Sequence, residues 1–414
     1  MRLPIVANGR QAFLPLVATL ALVASACAQQ QPQAPAAAPT SAPAAAAPTS
    51  APAAGGTIQF AWAGPLTGDV AQLGQGYLNG IKMAAEEWNA KGGVLGKQID
   101  IKPEDDACDP KQAGTVATKI ADDTNNVLVF GHFCSGTTLA AGPIYNKINL
   151  PELTISSNPK ITQQGWKNLF RPQPNDNLQG KAGVQFVMKK TGAKKFAMLS
   201  DKQAFGEGVV EVAKQTVEAA GGTVTSVGGV EPKDVDYSAV LTKIIQTEDP
   251  DAIVYCTNFN TSAGLMAKQV RQLGFKKPII GCDGWMDPGM VKAAGDAANF
   301  VSDAEAVYWT FQVPPYDINP KVKDFATKYK AKYGNDPIGY EIYGYDIGNL
   351  AFAAVNNAGS VDHDKVIASL KKGAPGVLVD NYTFDDNGDL IGAPIYVYTV
   401  ENGAWPPKLV DTIK

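Results

Sequence analysis

Gly131-His132-Phe133-Cys134-Ser135-Gly136-Thr137-Thr138, GHFCSGTT, follows the apolar run Val127-Leu128-Val129-Phe130 and precedes a run from Leu139 to Ile148 that reads as a helix. A strand that feeds a helix through small and hydroxyl residues leaves backbone N–H groups and the positive end of a helix dipole above the turn, with Ser135 and Thr137 as added donors. Such a turn holds an anion. It is equally compatible with an ordinary helix cap.

The same rhythm runs outward from this stretch. Before it, Thr57 to Ala63 reads as strand, Gly74 to Lys91 as a helix with Ile81, Ala84, Ala85 and Trp88 on one face, Gln98 to Lys102 as strand and Pro110 to Asp122 as helix. After it comes a strand from Glu152 to Ser156 and an extended segment from Asn168 to Gln173. The order β-α-β-α-β-α-β is that of a parallel sheet with helices on both faces. From Lys195 the alternation begins again. Strands are expected at Lys195 to Ser200, Thr223 to Val230, Ala252 to Cys256 and Pro278 to Gly281; helices at Gly206 to Ala220, Tyr237 to Thr247, Thr261 to Leu273 and from Pro288. A second α/β domain is the natural reading. Ala304 to Phe311 is extended, and Pro320 to Tyr333, Tyr340 to Asn356 and His363 to Lys372 are three successive helices that return the chain to the first domain. Two strands, Tyr382 to Asp385 and Pro394 to Glu401, are expected to close it. Between them Asp385 to Asp389 resembles a calcium loop, but Leu390 stands in the place of the required glycine and Tyr396 in that of the closing glutamate, so it reads as a hairpin turn.

Length and charge narrow the function. The 414 residues suffice for two or three domains, and 36 basic against 40 acidic residues, with no basic block, argue against a nucleic-acid partner. Only His132 and His363 are available for a histidine triad or a histidine-rich metal site. There is no G-x-S-x-G elbow and no Walker loop, and Gly74-Gln75-Gly76 followed by Gly80 misses the dinucleotide spacing. Catalysis is not expected.

The first residues read as an export signal: Arg2 and Arg10 lead an apolar run, Phe13 to Ala26, that is short for a membrane span. Val23-Ala24-Ser25-Ala26-Cys27 resembles a bacterial lipobox with Ala24 in the usual leucine position, which would make Cys27 the lipidated first residue; simple cleavage is the other reading. Then comes an uncharged Ala/Pro/Gln tract, with APTSAPAA repeated at Ala38 and Ala47, too poor in large apolar residues to form a core. It reads as a tether. Four further cysteines remain, Cys108, Cys134, Cys256 and Cys282, and each successive pair is 26 residues apart, about one strand-helix-strand unit. If each pair sits on neighbouring parallel strands, each can be bridged, for roughly 3–4 kcal/mol on the chain-entropy model. Buried free thiols are the alternative for the second pair.

Several ordered motifs carry a family likeness. Asp105-Asp106-Ala107-Cys108-Asp109-Pro110-Lys111-Gln112-Ala113, Gly131 to Ser135, Asp201-Lys202-Gln203 with Phe205-Gly206-Glu207-Gly208, Gly64 to Gly68 and Asn89 to Gly93 resemble the leucine/isoleucine/valine-binding proteins of bacterial ABC importers. The resemblance runs from Thr57 to Lys414 and implies the type I periplasmic-binding-protein fold: two α/β lobes, each a mostly parallel sheet flanked by helices, joined by three crossing strands. It divides the chain into a signal peptide (1–26), a tether (27–56), lobe 1 (57–172 with 310–390) and lobe 2 (173–309 with 391–414), with crossings near Arg171 to Pro174, Tyr308 to Phe311 and Ile391 to Pro394.

The resemblance also implies a Cys108–Cys134 disulfide, a ligand-carboxylate site at Ser135 with Ser156 and Ser157 after the next strand, and an acid for the ligand ammonium at Asp283, one methylene shorter than the family's glutamate. Phe259 and Phe205 stand where the family has tyrosines, and Leu73 where a larger aromatic often lines the side-chain pocket; with Trp285 they make the expected pocket apolar. The implied function is a receptor that captures a hydrophobic amino acid by hinge closure and hands it to ABC permease and ATPase subunits. The implied protein is a monomer without cofactor or metal, extracytoplasmic and bound to membrane only through Cys27. Aromatic carboxylates or amides, or service as a ligand-sensing partner of a receptor, are the alternatives.

Overall fold

A computed structural model describes residues 55–414. The signal peptide, Cys27 and nearly all of the tether lie outside the described residues. The first sheet contains β1 (Thr57–Gly64), β2 (Gln98–Asp105), β3 (Asn126–Phe130), β4 (Glu152–Leu153) and β5 (Leu169–Phe170), all parallel in the order β2-β1-β3-β4-β5. Between them run α1 (Ala71–Ala90), α2 (Pro110–Asp122) and α3 (Ser135–Lys147). β3, NVLVF, is buried at every position, as a central parallel strand covered on both faces must be. α2 starts on an Asp109 cap whose side chain accepts from Gln112 N, with Pro110 in the first turn.

The chain then passes to α4 (Asp176–Thr191) and a second sheet. Its elements are β6 (Lys195–Ser200), α5 (Ala204–Ala219), β7 (Thr223–Gly229), α6 (Ser238–Lys243), β8 (Ala252–Cys256), α7 (Asn260–Gln272), β9 (Ile279–Gly281), α8 (Pro288–Ala294) and β10 (Val307–Phe311). Next come α9 (Pro320–Tyr333), α10 (Tyr340–Ala358) and α11 (His363–Leu370), and the chain ends on β11 (Ile395–Thr399) and β12 (Lys408–Ile413). The second sheet has the order β12-β11-β10-β9-β8-β6-β7, parallel except where β11 pairs with β10 and β12.

The three late helices pack on the first sheet's side. α10 lies so close to α1 that a Cβ at Gly80 would come within 1.9 Å of Glu341 O, and one at Gly344 within 2.0 Å of Tyr77 O. Only glycine permits that approach. The Tyr333 hydroxyl of α9 donates to Asn79 O, and His363 of α11 reaches Asn126 O. The result is two lobes, each a mostly parallel sheet flanked by helices, with the chain crossing between them after β5, after β10 and before β11. Among the described residues no helix is long and apolar enough to cross a membrane.

Four expectations need correction. α4 has no counterpart in the sequence reading, because its buried face carries Asp176, Gln179, Gly180 and Gly183 among the apolar residues and blurs the stripe. α3 begins at Ser135, not Leu139, so half of the GHFCSGTT turn is already helix. Tyr382 to Asp385 forms only an isolated bridge, Phe384 to Leu390, across the expected Asp385–Asp389 turn. The closing edge strand is instead β12, whose mixed burial gives it no clean alternation to read.

Candidate functional site

Gly131, at φ 135°, turns the chain out of β3, and a Cβ there would stand 2.2 Å from Ala63 O. Two buried braces hold the turn that follows. Cys134 caps α3 and is bridged to Cys108, with the Cα atoms 5.6 Å apart. His132 pairs through Nδ1 with Asp106 Oδ2 at 2.6 Å and through Nε2 with the Tyr145 hydroxyl at 3.0 Å. Below them lies Glu152, fully buried, with neither carboxylate oxygen partnered; burial pushes its pKa well above the usual range.

The structure separates the three serines expected to meet a carboxylate. Ser156 lies within 2.6 Å of the Thr138 hydroxyl and 3.0–3.1 Å of the Phe133 and His132 carbonyls, so its hydroxyl ties the two loops of lobe 1 together. Ser157 accepts from Asp176 N at 2.9 Å through its carbonyl, and its hydroxyl faces the Asp176 carboxylate. Ser135 opens α3, is 2% exposed, and accepts a long bond of 3.4 Å from Asn158 N. Its O–H proton remains to be donated, beside the N–H groups of the first helical turn.

Asp283 begins a short turn after β9 and is 4% exposed. Its Oδ2 accepts from Gln312 Nε2 at 2.9 Å, and its N–H donates to Gln179 Oε1 at 2.9 Å. Gln179 in turn donates through Nε2 to Asp176 Oδ1 at 2.8 Å. One amide therefore links the Asp176 carboxylate to the backbone of Asp283, both in lobe 2. The other oxygens, Asp283 Oδ1 and Asp176 Oδ2, are buried without a partner. Burial, and then the charge of Asp283, push the Asp176 pKa up to about 7, against the pull of Gln179, Ser157 and Arg171. Burial likewise pushes Asp283 up to about 6, with the Gln312 bond opposing. Two desolvated acids whose charges repel each other favour a cation as their partner.

Sequence reasoning missed Asp176, although Asn175 as a cap and Gly192 as a left-handed stop marked its helix. It also missed Arg171. This fully buried guanidinium pairs with Asp389 and donates to Ser156 O at 3.0 Å and Asn158 O at 2.7 Å, fixing the loop that carries the serines. A third omission is Tyr340, whose ring packs on Phe133 at 5.1 Å and Phe311 at 5.6 Å. Burial raises its hydroxyl pKa, and the Asp283 charge adds to that. An aromatic wall thus adjoins the acids.

Of the expected pocket residues, Phe205 opens α5 where the lobes meet: Asn158 of lobe 1 donates to the Ala204 carbonyl at 2.5 Å. Leu73 is buried in the first turns of α1. Phe259 is half-buried at the start of α7 and lines a hollow at the rim with Asp69 and Lys233. Trp285 is fully buried against Gly281 and edge-on to Tyr255, so it supports the Asp283 turn from beneath. Of the two readings left open for the second cysteine pair, the structure has the free thiols: Cys256 and Cys282 are unbridged and buried. Cys282 Sγ accepts from Thr257 N at 3.3 Å, which satisfies that N–H without a bridge. Among the described residues no group of His, Cys, Asp and Glu is arranged to hold a metal ion.

A model of the periplasmic binding proteins matches residues 57–404. A leucine-, isoleucine-, valine-, threonine- and alanine-binding protein of Pseudomonas aeruginosa is 34% identical over 344 residues, covering 83% of this chain and 89% of the relative. The chain belongs to the leucine/isoleucine/valine-binding family of periplasmic binding proteins. A solved leucine-binding protein of Thermotoga maritima is similar to this binding protein with a TM-score of 0.78 at 29% identity, covering 86% of this chain and 99% of that one. A branched-chain amino acid transporter substrate-binding protein of Streptococcus pneumoniae, solved with isoleucine, gives 0.75 at 26% identity and covers 86% and 99%. The family is one of binding proteins and implies an extracytoplasmic setting.

Proposed function

We propose that the protein is the substrate-binding component of an ABC importer that captures a hydrophobic, branched-chain type amino acid between its lobes and presents it to the membrane permease and its ATPase. The observation that carries this reading is the Asp176–Gln179–Asp283 chain, two buried acids each with an unpartnered oxygen and no lysine or arginine bonded to either. An α-ammonium satisfies both. On this reading Ser135 and the first turn of α3 receive the carboxylate, and the aromatic wall around Phe133 and Tyr340 receives the side chain.

The two ends of a zwitterion are then held by different lobes, lobe 1 (57–172 with 310–390) and lobe 2 (173–309 with 391–414), so binding stabilises the closed form. The protein binds and releases without reacting, as a monomer tethered through lipid on Cys27. An aromatic carboxylate without an ammonium is the weaker reading, because it leaves Asp176 and Asp283 facing each other with no counter-charge. A thermal-shift screen against amino acids, aromatic acids and amides tests this, since a ligand that binds only the folded state raises the melting temperature. Leucine, isoleucine or valine should stabilise. A response to benzoate-type acids and to no amino acid overturns the assignment.

A further inference from the structure

β8 and β9 pair in parallel with Ile253 opposite Ile279 and Val254 opposite Ile280. Continued two residues past the end of the pairing, the same register matches Cys256 with Cys282. Both thiols are at most 1% exposed, and the Cys282 sulfur lies 3.3 Å from the N of Thr257, the residue after Cys256. The residue after Cys282 is Asp283. We propose that Cys256 and Cys282 form an oxidisable dithiol whose closure to a disulfide displaces Asp283 and weakens ligand capture; the binding consequence rests on the function proposed above.

The geometry supplies the coupling. Neighbouring strands run about 4.8 Å apart, whereas a disulfide most often sets its Cα atoms about 5.5–6 Å apart. A bridge therefore resets the spacing of the strand ends and turns both sulfurs toward each other. That removes the Cys282 S–H from the Thr257 carbonyl, 3.8 Å away, and changes the Sγ that accepts from Thr257 N. Thr257 is also the backbone on which the Asp283 turn rests: a Cβ at Gly284 would come within 2.1 Å of its carbonyl oxygen. A shift here reaches the Asp283 N–H bond to Gln179, and through it Asp176. The turn has no slack.

The oxidant is a low-molecular-weight disulfide. One cysteine loses its proton and attacks a sulfur of the disulfide, giving a mixed disulfide and releasing one thiolate, which takes up a proton. The second cysteine attacks the protein sulfur of that mixed disulfide and expels the second thiol. Two electrons pass from the cysteine sulfurs to the external disulfide, and the protein loses two hydrogens. Both sulfurs lie at strand ends under the cleft turn, so access requires the turn to open, and bound ligand protects the pair.

The test exposes the folded full-length protein to oxidised glutathione, with and without leucine, then maps peptides under non-reducing conditions. The expected result is a Cys256–Cys282 linked peptide, about 2 Da lighter than the sum of its reduced parts, formed faster without leucine. Leucine affinity by calorimetry should fall about tenfold or more in the bridged protein and recover on mild reduction. Cys256→Ser, or Cys282→Ala should the first fold poorly, should bind leucine and be unaffected by oxidant. Absence of the linked peptide after prolonged exposure, or a linked protein with unchanged affinity, overturns the proposal. Failure of the fully reduced protein to bind any amino acid would instead refute the function, and peptide mapping would still decide whether the bridge forms.

Discussion

Asp283→Asn removes one negative charge from the acid pair while keeping the shape of the side chain and an oxygen able to accept from Gln312, 2.9 Å away. An ammonium about 4 Å from a carboxylate gains about 4 kcal/mol at an effective dielectric constant near 20, and a charge-assisted hydrogen bond contributes about 1.5–3 kcal/mol. Asp176 remains to hold part of the charge, so the expected loss is about 2–4 kcal/mol, or roughly 30- to 1,000-fold in leucine affinity. The same substitution should stabilise the ligand-free fold. The Asp283 pKa is raised from 3.8 to about 6, so the unfolded chain ionises first and stability falls as pH rises between those values. That amounts to at most about 3 kcal/mol at neutral pH, which the amide does not forfeit. Calorimetry and thermal melts at pH 7 should therefore move in opposite directions, a pattern that simple misfolding cannot produce. An affinity within threefold of the parent would refute the ammonium role of Asp283.

Leucine affinity should fall as pH drops from 7 toward 5, because protons compete with the ammonium for Asp176, raised to about 7, and Asp283, raised to about 6; calorimetry in buffers of different ionisation heat should show proton release on binding near pH 6. Glu152→Leu should raise stability, and the gain should grow as pH rises above about 4.3, the ordinary glutamate pKa, since the buried, unpartnered carboxyl resists ionisation in the folded state alone; denaturant titrations with a constant gain from pH 4 to 8 would count against that origin. Gly344→Ala should lower stability by about 1–3 kcal/mol by forcing α10 away from Tyr77 O, visible as a lower melting temperature with the ligand-induced shift retained. Replacing Cys108 and Cys134 by serine should cost roughly 3–4 kcal/mol in denaturant titrations, given their separation of 26 residues.

The sequence made the strand-turn-helix units visible where each burial face has one chemistry. β3 is apolar from Val127 to Phe130 and α2 carries its Asp109 cap and Pro110, so both were readable. α4 was not, because the residues it buries are chosen to hold a charge and to let helices approach. Asp176 looks like a surface residue until the fold buries it completely. Arg171 and Asp389 are separated by more than 200 positions, and nothing local marks them as an ion pair. Ser135 was singled out by the strand-turn-helix pattern as well as by motif, whereas Asp283 was singled out only by a motif, which names a position without saying what its neighbours do. Ser156 shows the difference. It stands in the right loop, yet its hydroxyl is spent between Thr138 and two carbonyls.

The distribution of charge between the lobes bears on how closure selects a ligand. Asp176 and Asp283 both belong to lobe 2, on α4 and after β9, whereas Ser135 and the α3 terminus belong to lobe 1. A branched-chain amine would satisfy the acids and leave the helix terminus without an anion; a branched-chain carboxylate would do the reverse and leave two buried acids in mutual repulsion. Neither spans the cleft. Only a molecule with both charges on one carbon gains from each lobe at once, and that joint gain is what closure can use, since a ligand shifts an equilibrium only by its differential affinity for the two states. On the proposed reading the side chain then adds contact with the apolar Phe133–Tyr340–Phe311 wall. Selectivity for the amino-acid head should thus be steep and selectivity among aliphatic side chains shallow, because a single methylene in an apolar pocket is worth only about 1–3 kcal/mol.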